Sequence, residues 1–158
     1  MARDIRYNFF EKISLENNYN KIALAHNAND QVETVLMKLI RGSVSGLRGI
    51  KAKRDFSFAN KKLQVIRPIL CLSRKEVENY CLQKNLEPKT DLSNFENTYT
   101  RNRIRNIILP SLLKENPNFM EIIDNTSRVL AEEDTFLQEI ADKVYLLSIV
   151  PDFKDKIV

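Results

Sequence analysis

AHNANDQVETVLMKLIRG, residues 25–42, holds the only histidine of the chain, His26, with Asp30 and Glu33 just beyond it. The apolar run Ile22-Ala23-Leu24-Ala25 that leads into it is short and flanked by polar residues, the pattern of a strand buried in an α/β sheet. A helix is predicted next, from about residue 29 to residue 40. Asn27 and Asn29 offer N-cap oxygens, and Val32, Val35, Leu36, Leu39 and Ile40 recur at helical spacing as the inward face. Asp30 and Glu33, three apart, share another face near the helix N-terminus. Gly42 suits the left-handed conformation that ends helices. In an open α/β sheet, ligands bind where strand C-termini meet helix N-termini, which puts His26 at the lip of such a crevice. Acids in a first turn also act as simple partners of the helix dipole.

On the N-terminal side, Ile5, Phe9 and Ile13 are spaced as one face of an amphipathic helix over residues 2–16 that should pack on the sheet. A polar turn fills residues 17–20. On the C-terminal side, residues 43–49 read as a flexible loop. Two strands at residues 49–55 and 63–67 are expected to form a hairpin around residues 60–62, with Pro68 breaking the second ladder. Ser73 and Glu76 form a capping box for a helix to about residue 84, with Val77, Tyr80 and Cys81 inward. Residues 86–97 look irregular. A helix is expected from about Thr100 to Pro110, then one short turn over residues 111–115. Arg101 and Arg105 share a face of that helix while Arg103 points elsewhere. The last helix, residues 118–147, carries a long apolar stripe suited to core or interdomain packing.

At 158 residues, 43% hydrophobic and 29% charged, the chain has the composition of a soluble globular protein with one moderate core. It has no apolar run of transmembrane length and no signal-peptide pattern, so a cytoplasmic protein that does not engage membranes is expected. Cys71 and Cys81 lack C-x-x-C spacing and should be reduced structural thiols; no metal-ligand set is apparent. The formal net charge of +4 is modest. Its distribution is more informative, because Arg101, Arg103 and Arg105 form one cationic segment and Lys51, Lys53, Arg54, Lys61 and Lys62 another. These segments suit a phosphate backbone, although the lysine-rich one reads equally as a solubilising face.

Six ordered blocks resemble the tRNA(Ile)-lysidine synthetases of the PP-loop ATP-pyrophosphatase family. They are the A-H-x-x-[DN]-D-x-x-E-T motif with Arg41-Gly42-Ser43, Val65-Ile66-Arg67-Pro68-Ile69-Leu70, Arg74-Lys75-Glu76-Val77, Asp91-Leu92-Ser93-Asn94, Thr100-Arg101-Asn102-Arg103-Ile104-Arg105, and Leu109-Pro110. The resemblance covers roughly residues 2–145. It implies an α/β fold, the C-terminal part of an adenine-nucleotide alpha-hydrolase-like (Rossmann-like) domain followed by a helical segment. Residues 1–110 would be a partial PP-loop synthetase catalytic domain and residues 111–158 a helical linker. The family's S-G-G-x-D-S loop, an anion nest for ATP pyrophosphate, is not in this sequence, nor are its C-terminal tRNA-binding domains. The chain is therefore expected to be a piece that does not make an adenylate alone.

The reaction implied by the resemblance joins free lysine to carbon 2 of the anticodon wobble cytidine of tRNA(Ile) after activation by ATP, with Mg expected. The partners implied are the tRNA(Ile) anticodon stem-loop, free lysine and ATP, and a homodimer is compatible with it. Asp30 and Glu33 would hold the lysine ammonium and take its proton. Arg6 and Arg105 would face phosphate or developing negative charge, and His26 would contact the nucleotide or shuttle a proton. Asp91, Asn94 and Arg101 are further substrate-binding candidates, although Asp91-Leu92-Ser93-Asn94 is equally a common turn. Two other readings stand beside this one, a non-catalytic RNA-binding or interaction module and a related PP-loop tRNA-thiolating enzyme.

Overall fold

A computed structural model describes residues 2–58, 61–89 and 96–148. The chain runs α1 (Ala2–Glu16), β1 (Lys21–Ala23), α2 (Ala28–Ile40), a 3-10 turn (Val44–Arg48), β2 (Lys53–Phe58) and β3 (Lys61–Ile66). There follow α3 (Arg74–Gln83), α4 (Thr100–Arg103), a π-helical turn (Ile104–Ile108), α5 (Leu109–Glu115) and the 30-residue α6 (Phe119–Ser148). The fold is α/β with a C-terminal helical segment.

The sheet has the order β1-β3-β2 among the described residues. β1 lies parallel to β3, with Ala23 opposite Ile66, and β2 is antiparallel to β3, with Lys53 opposite Ile66. The parallel pair, joined by a crossover through α2, gives the sheet a ligand-binding end, and His26 and Arg67 both leave their strands there. In β3, Leu63 and Val65 are buried while Gln64 is half-exposed, the period-two alternation of a strand with one inward face.

α2 is the central helix. Asn27 caps it in a reciprocal box: its side chain accepts from the Asp30 backbone N–H (3.1 Å), and the Asp30 carboxylate accepts from the Asn27 N–H (3.0 Å). Val32 and Leu36 pack with Ile104 and Leu109 in a closed apolar cluster, against which Leu112, Leu113, Phe119, Met120 and Ile123 lie. Each fully buried side chain of this kind contributes about 1.5–3 kcal/mol. The cluster thus joins the sheet-bearing part to the first turns of α6. Leu39 and Ile40, expected inward, are exposed.

Several expectations are corrected. In place of a flexible loop over residues 43–49, Val44–Arg48 form a 3-10 turn, held where Gln31 of α2 accepts the Ile50 N–H at 2.6 Å and Arg48 pairs with Asp134 of α6. The hairpin strands lie later in sequence than predicted for the first and start earlier for the second. Pro110 does not end its helix: the widened π turn precedes it, and Pro110 falls in the first turn of α5, where its missing N–H costs nothing. The Ser73–Glu76 capping box is present, but α3 has no buried residue and Tyr80 is exposed. Ile5 and Phe9 of α1 stay exposed, as do Phe136, Leu137 and Val144 of α6. No helix among the described residues is long and apolar enough to cross a membrane.

Candidate functional site

Two arginines from α4 and the π turn close on the two acids of α2. Ile104, buried against Val32 and Leu36, anchors that segment so that Arg101 and Arg105 flank it on one face. Arg105 donates from Nε to Glu33 Oε1 (2.6 Å) and from Nη2 to Glu33 Oε2 (2.9 Å). Arg101 donates from Nε to Glu33 Oε2 (2.8 Å) and from Nη2 to Asp30 Oδ1 (2.6 Å). Glu33 is completely buried. Its carboxylate therefore survives burial because three guanidinium N–H groups compensate it. The same bonds, with the Glu33 hydrogen bond first, raise the Arg105 pKa above its already high ordinary value. Arg103 turns away and donates to the carbonyls of Asn97 and Thr98.

This geometry bears on the roles expected of the acids. Glu33 is committed to two guanidinium groups, and Asp30 shares its oxygens between Arg101 and the cap of its own helix. In this arrangement both acids face arginine, Glu33 through Arg101 and Arg105, and Asp30 through Arg101 and, at 3.5 Å, Arg105. What it does physically is hold Arg101 and Arg105 in fixed orientation.

Beside the cluster lies a cavity of about 810 Å³ lined by Arg6, Tyr7, His26, Thr34, Lys51, Lys53, Arg54, Asp55, Arg67 and Arg101, among others. Six Lys or Arg side chains face one carboxylate, so the space suits a polyanion. Arg6, His26 and Arg101 are thereby brought to one wall. Asp30, Glu33 and Arg105 stand next to it. The lysine-rich segment enters through Lys51, Lys53 and Arg54, while the side chains of Lys61 and Lys62 lie outside the described residues, as do Asp91, Ser93 and Asn94.

Two contributors were missed in the sequence. Arg67 donates from Nε to His26 Nδ1 (3.2 Å) and from Nη1 to the Lys51 carbonyl (2.6 Å). No sequence signal marks it, because only the parallel pairing of β1 with β3 sets the residue after β3 beside the residues after β1. Gln31 is the other: its side chain accepts the Ile50 N–H at 2.6 Å. Asn29 does not cap α2; its side chain accepts the Arg74 N–H at 2.8 Å and ties α3 to the site. The His26 pKa is lowered from its ordinary 6.5, chiefly by burial, with Arg67, Arg101 and Arg6 adding to the effect and Asp30 opposing it.

The fold and site define an α/β domain with a basic crevice at the strand ends. The family described as the PP-loop domain matches residues 1–112, and the chain belongs to that family. It is 44% identical over 141 residues to a tRNA(Ile)-lysidine synthase of Geobacillus kaustophilus, covering 89% of this chain and 30% of that protein. It is 41% identical over 140 residues to the tRNA(Ile)-lysidine synthase of Bacillus subtilis, covering 88% and 29%. A bifunctional protein TilS/HprT of Listeria innocua is 42% identical over 154 residues, 97% of this chain and 23% of that protein. The chain thus spans less than a third of the length of these relatives.

Proposed function

We propose that this chain supplies the arginine-clamped half of the active site of an ATP-dependent tRNA(Ile)-lysidine-forming ligase, which joins lysine to carbon 2 of the wobble cytidine. The observation that carries the reading is the convergence of Arg6, His26, Lys51, Arg67 and Arg101 on one cationic cavity, with Arg101 and Arg105 locked by Asp30 and Glu33. The similarity of the chain to relatives named tRNA(Ile)-lysidine synthase supports the reading.

The residues present fit the phosphate end of ATP. Arg6, His26, Lys51 and Arg101 would hold it, and bound ATP would supply the activation of the cytidine. Arg101 and Arg105, pre-set by the acids, stabilise negative charge without having to reorganise. Lys51, Lys53 and Arg54 extend the positive surface toward an RNA backbone. Magnesium fits less well here: among the described residues no three His, Cys, Asp or Glu side chains group together, and Asp30 and Glu33 are engaged by arginine. No role is assigned to it on these residues. Asp91 and Asn94 remain proposed substrate contacts from the family motif, and residues 1–110 and 111–158 the proposed division into catalytic and linking parts. The tRNA(Ile) anticodon stem-loop, free lysine and ATP are the proposed partners, in the cytoplasm.

The test is a chimera in which this segment replaces the 140 matched residues of the Bacillus subtilis relative. Labelled lysine should enter a tRNA(Ile) transcript only with ATP, and Arg101→Ala or Arg105→Ala should suppress incorporation while the chimera stays folded. A folded chimera that binds the transcript but transfers no lysine would favour an RNA-binding module instead.

A further inference from the structure

We infer that Arg67 is a positioning residue for His26: its guanidinium fixes the imidazole as the neutral tautomer protonated on Nε2, so that His26 meets an anionic ligand as a hydrogen-bond donor and not as a proton carrier.

The argument starts from what arginine can do. A guanidinium has five N–H donors, no acceptor, and no accessible deprotonated form. The contact from Arg67 Nε to His26 Nδ1, at 3.2 Å, therefore requires a lone pair on Nδ1. A neutral imidazole with its lone pair on Nδ1 carries its proton on Nε2. Protonating Nδ1 would break this bond and set an imidazolium against a guanidinium that has nowhere to send its charge.

Arg67 is itself held. Its Nη1 donates to the Lys51 carbonyl at 2.6 Å, and its backbone N–H to the Ala52 carbonyl at 2.9 Å, so the fork is aimed from the start of the hairpin toward the end of β1. Charged groups around the imidazole point the same way. Arg6 from α1, Arg101 from α4 and Arg67 beyond β3 disfavour a second positive charge, and only Asp30 from α2 favours one. Asp30 is itself bonded by Arg101 and by its helix cap, which dilutes that pull. His26 lines the cationic cavity, where an Nε2–H adds a directional donor without adding charge. Of the two roles open to His26 in the motif, phosphate contact and proton shuttle, this arrangement selects the first.

The choice of a phosphate anion rests on the function proposed above; the tautomer does not. The chain has a single histidine, so ring-nitrogen NMR of the ¹⁵N-labelled 158-residue chain reports one imidazole without assignment. Nε2 should show the protonated and Nδ1 the unprotonated signature, with a titration midpoint below 6.5. In Arg67→Gln the fixed tautomer should be lost to averaging and the midpoint should move up toward 6.5. A proton on Nδ1 in the unmodified chain would overturn the inference, as would a folded Arg67→Gln variant with the same tautomer and midpoint. If Arg67→Gln does not fold, Arg67→Lys, whose ammonium also only donates, should retain Nε2 protonation, and its loss there would count against the assignment. Inorganic pyrophosphate should shift the Nε2–H resonance of the unmodified chain. No shift, with the tautomer as expected, would overturn the donor role and the phosphate reading of the cavity while leaving the Arg67–His26 lock in place.

Discussion

Glu33 and Arg105, 72 residues apart in sequence, meet in a two-point contact at 2.6 and 2.9 Å that lies next to the cationic cavity. A buried carboxylate joined this way is held by its partners, and its partners are oriented by it. Removing one side leaves the other with charge it cannot easily shed.

Glu33→Ala should therefore destabilise the chain by about 3 kcal/mol, the low end for breaking a buried pair, because both guanidinium groups keep some access to water. Arg105→Ala should cost more than Arg101→Ala, since Arg105 places two N–H bonds on Glu33 and is the less exposed of the two. Urea midpoints at unchanged m-value give the ranking. The reverse order would mean that the Asp30–Arg101 bond, not Glu33, anchors the cluster.

Acidification should weaken the fold through His26. Its folded pKa lies below 6.5, so between that lower value and 6.5 the unfolded chain binds the proton more readily. The stability is complete above about pH 6.5 and is lost as pH falls through the folded value. His26→Gln should flatten this dependence, visible as a smaller difference between urea midpoints at about pH 7.5 and about pH 5.5. Equal slopes in the two proteins would show that other groups carry the whole effect.

Gly42 and Gly49 share a φ of +68° but should respond differently to alanine. At Gly42 a methyl group meets nothing within 4 Å, leaving only the left-handed backbone cost of about 1 kcal/mol. At Gly49 it would come within 2.5 Å of the Gln31 amide, which is buried and holds the Ile50 N–H. Gly49→Ala should cost about 2 kcal/mol or more, because φ +68° with ψ −145° is a region essentially reserved for glycine and the methyl group would also displace that hydrogen bond. Thermal denaturation of both variants suffices, and equal losses would show that neither the Gly49 backbone nor the displaced Gln31 adds a cost.

Ser73→Ala should remove about 1 kcal/mol by uncapping α3. Glu76 accepts from the Ser73 hydroxyl and N–H, which lowers its pKa below 4.5. Its contribution is present above about pH 4.5 and disappears as pH falls through the lower folded value. A Ser73→Ala loss that persists unchanged at about pH 2.5 would assign the effect to the hydroxyl cap alone.

What the sequence disclosed was local and periodic. The α2 helix, its Asn27 cap, the capping box of α3 and the shared face of Arg101 and Arg105 follow from spacings of three and four residues. The pairing of those arginines with Asp30 and Glu33 needed a fold to bring residues about 70 apart together. The family motifs pointed to the same residues but gave the acids a different neighbour. Arg67–His26 and Gln31–Ile50 were invisible for another reason: each joins a side chain to a group whose position depends on strand register or on a turn. Exposure of Ile5, Phe9 and Tyr80 was equally unreadable, since a periodic apolar stripe states which face is apolar and not what covers it.

The widened turn at Ile104–Ile108 sets the angular phase between two halves of the molecule. An α-helix advances about 100° per residue, so one residue more or fewer in that turn rotates everything after it by more than a quarter circle. Shortening it by one would leave Arg101 on the acids while swinging Leu109, Leu112 and Leu113 off their seat on α2. The turn is a gear between the arginines and α6: the length of a five-residue segment decides whether the charged cluster and the apolar cluster can be satisfied at once.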